Sequence, residues 1–358
     1  MSLPTFLNRA GSWFLNSGIQ DSDGGVARYR RTDTRQNLAI SNEITGYTVS
    51  TLVYLHRLTG RAEYLDRALA AARFLTRCAW NAQLQTFPFE FVPPGNGFTY
   101  FFDCGIIVRG LLAVWRASGD PAFREIAEAC GRSMARDFAA GGCFHPILRL
   151  PEKKAVACDH RWSRGSGCYQ LKSAMAWFDL FELTGDAKFH ESYREALDYS
   201  LRTHDSFLPG AADKNGVMDR LHAYSYFLEG LLPVSGEPEC AAALVVGIPR
   251  LAGYLRDIAP MFARADVYAQ LLRVRLFADQ AGVAPLDREA AAFEAARLAE
   301  FQSDDPDPQV CGGFWFGRKG EEMMPFINPV SAGFALQALA MWNAYGKDGP
   351  PLDRHELI

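Results

Sequence analysis

Two segments are especially informative about the architecture: GIIVRGLL at residues 105–112 and SAGFALQAL at residues 331–339. Both are mostly apolar, and both place glycine, alanine or serine among larger side chains. Small residues on a mostly apolar helix allow neighbouring helices to pack closely on more than one side. We therefore assign these segments to an inner layer of helices, together with the similar helices near residues 42–58 and 166–184.

The helices that alternate with these carry a charged stripe. The helix near residues 62–78 is an example, with Glu63, Asp66 and Arg73 among its alanines and leucines. A polar stripe of this kind is typical of a helix with one face in solvent. The same pattern assigns residues 121–138, 187–204 and 287–302 to an outer layer.

Glycine-containing breaks recur at Gly60, Gly119, Gly185, Gly236 and Gly282, with spacings of 59, 66, 51 and 46 residues. A repeat in this range indicates an array of similar supersecondary units, here helical hairpins. Twelve helices are predicted, near residues 4–16, 42–58, 62–78, 103–118, 121–138, 166–184, 187–204, 219–234, 239–257, 262–281, 287–302 and 329–344. Six hairpins in two layers predict an all-α fold, an (α/α)6 barrel that forms a single domain over residues 1–358.

The loops that lead from an outer to an inner helix also repeat. Paired glycines at residues 24–25, 141–142 and 312–313 are followed by aromatic or β-branched residues, which predicts a tight turn and a short extended segment. Residues 86–92 alternate with period two and are predicted to form another strand. All these crossings are expected at one rim, where long aromatic loops favour function.

Composition excludes some classes of protein. The chain has 358 residues, 49% of them hydrophobic, and a formal net charge of −4, which gives no reason to expect a nucleic-acid partner. No window reaches the roughly 18 apolar residues of a membrane span, and the first 15 residues do not resemble a signal peptide. The eight cysteines form no CxxC pair, so we expect free thiols in the cytoplasm. No metal, phosphate-loop or dinucleotide pattern predicts a cofactor.

The helix alternation and the Gly-Gly-aromatic crossings resemble the six-hairpin (α/α)6 toroid proteins. That superfamily includes glycoside hydrolases, unsaturated-uronide hydrolases, polysaccharide lyases and N-acylglucosamine 2-epimerase-like enzymes. RWSRGSG at residues 161–167 is similar to the Trp-Ser/Ala-Arg-Gly segment of the unsaturated-uronide hydrolases, but it departs after Gly165, where those enzymes carry Gln-Ala-Trp. The resemblance implies chemistry on a carbohydrate.

A second resemblance is to the terpenoid cyclase and prenyltransferase toroids. FLNSGIQDSDGG at residues 14–25 is similar to their Gln-and-Gly repeat. The chain lacks their Asp-x-Asp-Asp protonation motif, since DDPD at residues 304–307 has the wrong order. This alternative requires an apolar, aromatic cavity with a single buried acid.

Sugar chemistry of the glycosidase kind needs a carboxylic acid that protonates an oxygen or a double bond, and usually a second carboxylate. Asp103 is the first candidate, because it opens an apolar inner helix where burial would favour the protonated form. It could equally be a helix N-cap. Asp159 and Asp219 lie at the next two crossings and are candidates for a base or an orienting group.

The segment 159–164, DHRWSR, is the densest polar cluster in the chain. Burying such groups without partners is costly, so the cluster favours function over a surface loop with an Arg-Asp pair. In a sugar site, Trp162 would stack on a pyranose, Arg164 would pair with a carboxylate and His160 would move protons.

The predicted binding set is completed by residues on other helices and loops: His222, Tyr224, Trp315 and Tyr47. His222, His145 and His160 also leave open the histidine pair of an epimerase. The sequence therefore predicts a carbohydrate-active, hydrolase-like enzyme for an acidic mono- or oligosaccharide, without metal or cofactor. The alternatives are an isoprenoid enzyme, a sugar epimerase or a non-catalytic helical scaffold, and the oligomeric state is open.

Overall fold

A computed structural model describes residues 4–90, 97–159, 161–346 and 351–358. Each of the twelve predicted helices overlaps a helix in these ranges. The helices are α1 (Thr5–Asn16), α2 (Asn42–Thr59), α3 (Ala62–Phe74), α4 (Phe101–Ser118), α5 (Pro121–Asp137), α6 (Leu171–Thr184), α7 (Ala187–Phe207), α8 (Lys214–Gly230), α9 (Pro238–Ile258), α10 (Ala265–Gln280), α11 (Arg288–Ala299) and α12 (Pro329–Ala344). None of them is long and apolar enough to cross a membrane.

Two helix starts differ from the prediction. Helix α6 begins at Leu171 rather than near residue 166, because the preceding residues form the 3-10 turns Trp162–Arg164 and Cys168–Gln170. Helix α8 begins at Lys214, five residues before Asp219, because the Asp213 side chain accepts a hydrogen bond from the Gly216 amide and caps the helix there. Asp219 therefore lies in the second turn of α8.

Short strands accompany the helices. They are β1 (Arg30–Arg31), β2 (Gln36–Asn37), β3 (Phe98–Tyr100), β4 (Ile147–Arg149), β5 (Lys154–Ala155), β6 (Phe262–Arg264), β7 (Gly317–Lys319), β8 (Glu322–Met323) and β9 (Phe326–Ile327). Three antiparallel sheets result, ordered β2-β1-β9, β3-β4-β5 and β6-β7-β8. Strands β3 and β6 each lead directly into a helix, α4 and α10, and so position the residues at the start of that helix.

The strand predicted over residues 86–92 does not form a ladder. Thr86 and Glu90 make isolated bridges to Asn81 and Ser41, and residues 91–92 lie outside the described ranges. The two bridges join different segments of the chain, so no continuous strand pairing forms.

The chain divides into two compact units. The 39–205 unit consists of Gln20–Ala27 and Ala39–Asp205. The 206–358 unit consists of Arg28–Leu38 and Ser206–Ile358, together with the N-terminal residues up to Ile19.

In the 39–205 unit, α4 packs against both α2 and α6, and α3 and α5 pack outside them. The inner contacts are close: a Cβ atom on Gly110 would lie 2.5 Å from the Gly46 carbonyl oxygen, and one on Gly105 would lie 2.4 Å from that of Ser173. Side chains larger than hydrogen do not fit at these points. The predicted assignment of α2, α4 and α6 to an inner layer is confirmed.

In the 206–358 unit, α10 packs against α8 and α12, with α9 and α11 outside. Nearly every residue of α12 from Pro329 to Met341 is buried, which confirms its predicted inner position. Asn328 caps α12, with its side-chain oxygen accepting hydrogen bonds from the amides of Val330 and Ser331.

The paired-glycine loops make the predicted tight turns, but for different reasons. Gly24 and Gly312 have φ of +97° and +84°, and a Cβ on either would lie 2.3 Å from a carbonyl oxygen of an outer helix, that of Ala70 or Arg9. Gly142 also has a positive φ, +93°, but faces open space. The first and last crossings therefore need glycine for close packing as well as for backbone conformation.

Candidate active site

Asp103 lies in the first turn of α4, and its side chain is only 4% exposed. The N-cap position of the helix is occupied by Tyr100, so Asp103 is not the N-cap that the sequence allowed. No loop separates β3 from α4, so Asp103 lies only three residues after the end of the strand.

Tyr100 connects Asp103 with the polar segment predicted from the sequence. Burial raises the pKa of the Tyr100 hydroxyl, and the nearby Asp103 carboxylate raises it further, whereas Arg164 and Arg161 act in the opposite direction. Asp103, Arg161 and Arg164 therefore all act electrostatically on the Tyr100 hydroxyl. The sequence predicted no role for Arg161 beyond its place in the 159–164 cluster.

Asp159 is held by both arginines. Its carboxylate accepts hydrogen bonds from the Arg161 backbone amide at 2.8 Å and from Arg161 Nη2 at 2.6 Å, and it lies 3.3 Å from Arg164 Nη1. The Arg161 hydrogen bonds hold the pKa of Asp159 far below its usual range. Asp159 is therefore an ionised, weakly basic group, and of the two roles predicted for it the geometry favours orienting the arginines.

Trp162 packs edge-to-face on Tyr169, with ring centroids 5.1 Å apart and an interplanar angle of 86°. The Tyr169 hydroxyl donates to the Gly165 carbonyl oxygen at 3.1 Å, which holds the turn that carries Trp162 and Arg164. Trp162 is partly exposed. His160 lies outside the described residues.

In the 206–358 unit, the main polar cluster surrounds His222 on α8. The Arg264 Nη1 atom lies 3.0 Å from His222 Nδ1, and the same guanidinium contacts Asp266 in the first turn of α10 through Nε and Nη2, at 2.9 and 2.5 Å. Burial, and secondarily the Arg264 charge, hold the pKa of His222 well below its ordinary value. His222 is thus a neutral imidazole at physiological pH.

Of three other predicted site residues, one is exposed and two are buried. Asp219 is exposed on the second turn of α8. Tyr224 is fully buried: its hydroxyl lies against Gly247 of α9, and the Arg250 guanidinium lies 5.4 Å from its ring centroid. Tyr47 is 2% exposed within α2. Tyr224 thus packs against α9, and its assignment to the lining of a site stays a prediction.

Trp315 is partly exposed, and its backbone amide donates to the Phe301 carbonyl oxygen at 2.9 Å. The next residue, Phe316, lies under the Arg264 guanidinium, with its ring centroid 4.5 Å from the Arg264 Cζ atom. The sequence did not lead us to predict a site role for Arg264 or Asp266. The signal that could have found them is the parallel between the two strand-to-helix passages, because both β3–α4 and β6–α10 bring an acid into the first turn of an inner helix.

No family model and no curated protein matches the sequence, whereas solved structures match its fold over nearly the whole chain. Cellobiose 2-epimerase from Spirochaeta thermophila is similar with a TM-score of 0.73 and 14% identity, over 94% of this chain and 94% of that chain. A sugar epimerase from a ruminal bacterium gives 0.71 and 12%, over 93% and 96%.

An unsaturated glucuronyl hydrolase specific for heparin is also similar, with a TM-score of 0.67 and 12% identity, over 96% of this chain and 97% of that chain. These likenesses show that the chain has the fold of the (α/α)6 toroid proteins, as the helix repeat predicted. At this level of identity they show the fold and not the activity.

Proposed function

We propose that this chain is a carbohydrate-active enzyme that acts on an acidic mono- or oligosaccharide by acid/base catalysis. The observation that carries the proposal is the buried Asp103 carboxyl in the first turn of α4, which acts on the Tyr100 hydroxyl together with the guanidinium groups of Arg161 and Arg164. A buried acid suits proton donation to a sugar oxygen, and guanidinium groups suit a carboxylate substituent. The likeness to epimerases and a glucuronyl hydrolase supports a sugar substrate.

In this proposal, Asp103 is the acid and Arg164 pairs with the carboxylate of the substrate. Arg164 contacts Asp159 through Nη1, and a guanidinium has five N–H donors, so others remain for a ligand. Asp159 orients the two arginines. Trp162 and Trp315 offer partly exposed rings for sugar faces.

A sugar epimerase is the second candidate, and His222 is the observation that favours it. Epimerisation next to a carbonyl group is assisted by a neutral hydrogen-bond donor that polarises the carbonyl oxygen, a role that a neutral imidazole can fill. By contrast, the charged groups around Tyr100 and His222 argue against the apolar cavity of an isoprenoid enzyme. A cytoplasmic location, a single domain and the absence of a nucleic-acid partner stay predictions.

Ligand-observed NMR and turnover assays with neutral, acidic and unsaturated saccharides test the proposal. We expect the wild-type protein to bind an acidic saccharide and Arg164→Ala to lose that binding. Asp103→Asn should still bind but turn over at least about 100-fold more slowly, since general acid catalysis typically contributes that much. Arg132→Ala is the matched control, because Arg132 pairs with Glu128 on the outer helix α5 of the same unit.

Two results would count against the proposal. If no saccharide binds, the carbohydrate assignment fails, and the scaffold alternative becomes the better one. If an acidic saccharide binds equally well to the wild-type protein and to Arg164→Ala, the arginine cluster is not the carboxylate site.

A further inference from the structure

The contact between Arg264 and His222 determines which nitrogen of the imidazole carries the proton. An arginine side chain has five N–H donors and no acceptor. The 3.0 Å contact from Arg264 Nη1 therefore requires an unprotonated His222 Nδ1 that accepts the hydrogen bond. In the neutral ring the remaining proton is then on Nε2.

Arg264 is held in place on three sides. Asp266 binds it in a bidentate arrangement, the Phe316 ring lies under its guanidinium plane, and its backbone pairs with Gly317 in the β6–β7 ladder. The side chains of Arg264 and Asp266 are only 16% and 5% exposed. These contacts fix the orientation of the guanidinium group, because a carboxylate neutralises its charge and binds its planar N–H groups in a bidentate arrangement.

We infer that Arg264 is a positioning residue that holds His222 neutral with its proton on Nε2, so that Nδ1 of His222 does not act as a base. A base needs a free nitrogen lone pair, and the Nδ1 lone pair of His222 is already engaged by Arg264. The inference rests on the proposed function only in placing His222 in the sugar site. The lowered pKa of His222 agrees with this arrangement.

Within the described ranges, the contacts of the His222 ring include Arg264 from the β6–α10 segment, which is itself paired with Asp266, and Tyr226 from α8, whose ring centroid lies 6.0 Å away. Removing the Arg264 charge would remove one of the two effects that lower the pKa of His222, the other being burial. A positive charge within a few ångströms disfavours the protonated imidazole, so its loss should favour protonation. The protonation midpoint of His222 therefore measures the electrostatic effect of Arg264 on the ring.

The experiment is a pH titration of the protein labelled with ¹⁵N at its seven histidines, with the His222 signal assigned by its loss in His222→Asn. In the wild-type protein at pH 6 we expect a neutral ring with an unprotonated Nδ1. In Arg264→Met the protonation midpoint should rise, although burial still holds it below the ordinary value. Arg264→Lys keeps a positive donor and should restore most of the wild-type behaviour.

Arg275→Met is the matched control. Arg275 lies on the same helix α10 and binds Glu294 in a bidentate arrangement, with Nε 2.8 Å from Glu294 Oε2 and Nη2 2.8 Å from Oε1. It should lower stability without moving the His222 titration. This separates positioning of the imidazole from a general loss of packing.

A wild-type His222 that is protonated on Nδ1, or charged at pH 6, would overturn the inference without any variant. An unchanged titration in folded Arg264→Met would also overturn it. The NMR readout does not depend on a substrate, so its failure is separate from that of the proposed function. If the titration behaves as expected and no saccharide binds, only the proposed function is lost.

Discussion

The inner helices of the two units are packed by different means. In the 39–205 unit, the glycines of α2 and α4 bring backbones into direct contact, as at Gly46 and Gly110. In the 206–358 unit, α10 instead carries arginines that are paired across the helix contacts, as in Arg273–Glu229, where both side chains are 0% exposed. Where two helix backbones are in contact, there is no room for a side chain between them. Where two helices lie farther apart, side chains must fill the space between them, and any buried charge among these needs a partner.

The contrast is one of degree. The 39–205 unit has the buried pair Arg109–Asp179, with side chains 6% and 1% exposed. Helix α10 contributes both Arg273 and Arg275 to ion pairs, and Arg264 directly precedes it. The 206–358 unit should accordingly be more sensitive to the loss of a charge, and the 39–205 unit to an added methyl group.

The largest effect is expected from Glu229→Ala. It would leave the buried Arg273 without its carboxylate partner, and breaking a buried pair typically lowers the free energy of unfolding by about 3–5 kcal/mol. Urea denaturation measures the change. The double variant Glu229→Met with Arg273→Met is the control and should recover most of the loss, because no charge stays buried. A loss below about 1 kcal/mol in the single variant would show that this pair does not hold the unit together.

A smaller loss is expected from Gly105→Ala in the other unit. The new Cβ atom would lie 2.4 Å from the Ser173 carbonyl oxygen, so α4 and α6 must move apart, at a cost of about 1–3 kcal/mol. Gly253→Ala in α9 is the matched control, since no heavy atom lies within 4 Å of the added methyl group. There the better helix propensity of alanine should stabilise the protein by up to about 1 kcal/mol.

These two variants also test the prediction of a single domain over residues 1–358. One domain requires Glu229→Ala and Gly105→Ala to shift the same cooperative transition. Separate transitions, each shifted by only one variant, would show that the two units unfold independently.

The His222 cluster predicts a pH dependence with a defined sign. Burial and Arg264 lower the pKa of His222 in the folded protein, so the unfolded chain binds more protons below about pH 6.5. Stability should therefore fall as the pH drops below 6.5, by at most about 1.4 kcal/mol per pH unit from this group. Urea denaturation between pH 5 and 7 measures the slope. His222→Asn should have a shallower slope, and identical slopes would contradict the expectation.

The smallest effect is expected from Asp159→Asn. Its carboxylate is paired with Arg161, but the Asp159 and Arg161 side chains are 29% and 52% exposed. Solvent and salt screen such a pair, so the urea midpoint at pH 7 should hardly change. The lowered pKa of Asp159 also means that the pair persists until the pH falls below the ordinary aspartate range. A loss comparable with that of Glu229→Ala would mean that this cluster is structural.

The sequence by itself determined the helices, their order in two layers and the tight glycine turns. These features depend on interactions between residues close in the chain: the helical spacing of small and charged residues, the Asn328 cap, and the positive φ at Gly24 and Gly312. It also identified Asp103 and the 159–164 segment as the groups to examine, because charged side chains in an apolar setting need partners.

Only the tertiary structure decided which of these groups meet. Arg264 contacts His222 across 42 residues of sequence, and Arg164 acts electrostatically on Tyr100, which precedes it by 64 residues. The Tyr224 hydroxyl lies near Gly247 of α9, and each residue rotates a helix by about 100°, so neighbours in sequence point in different directions. Pairing, burial and direction depend on packing, and packing joins residues that are far apart in the chain.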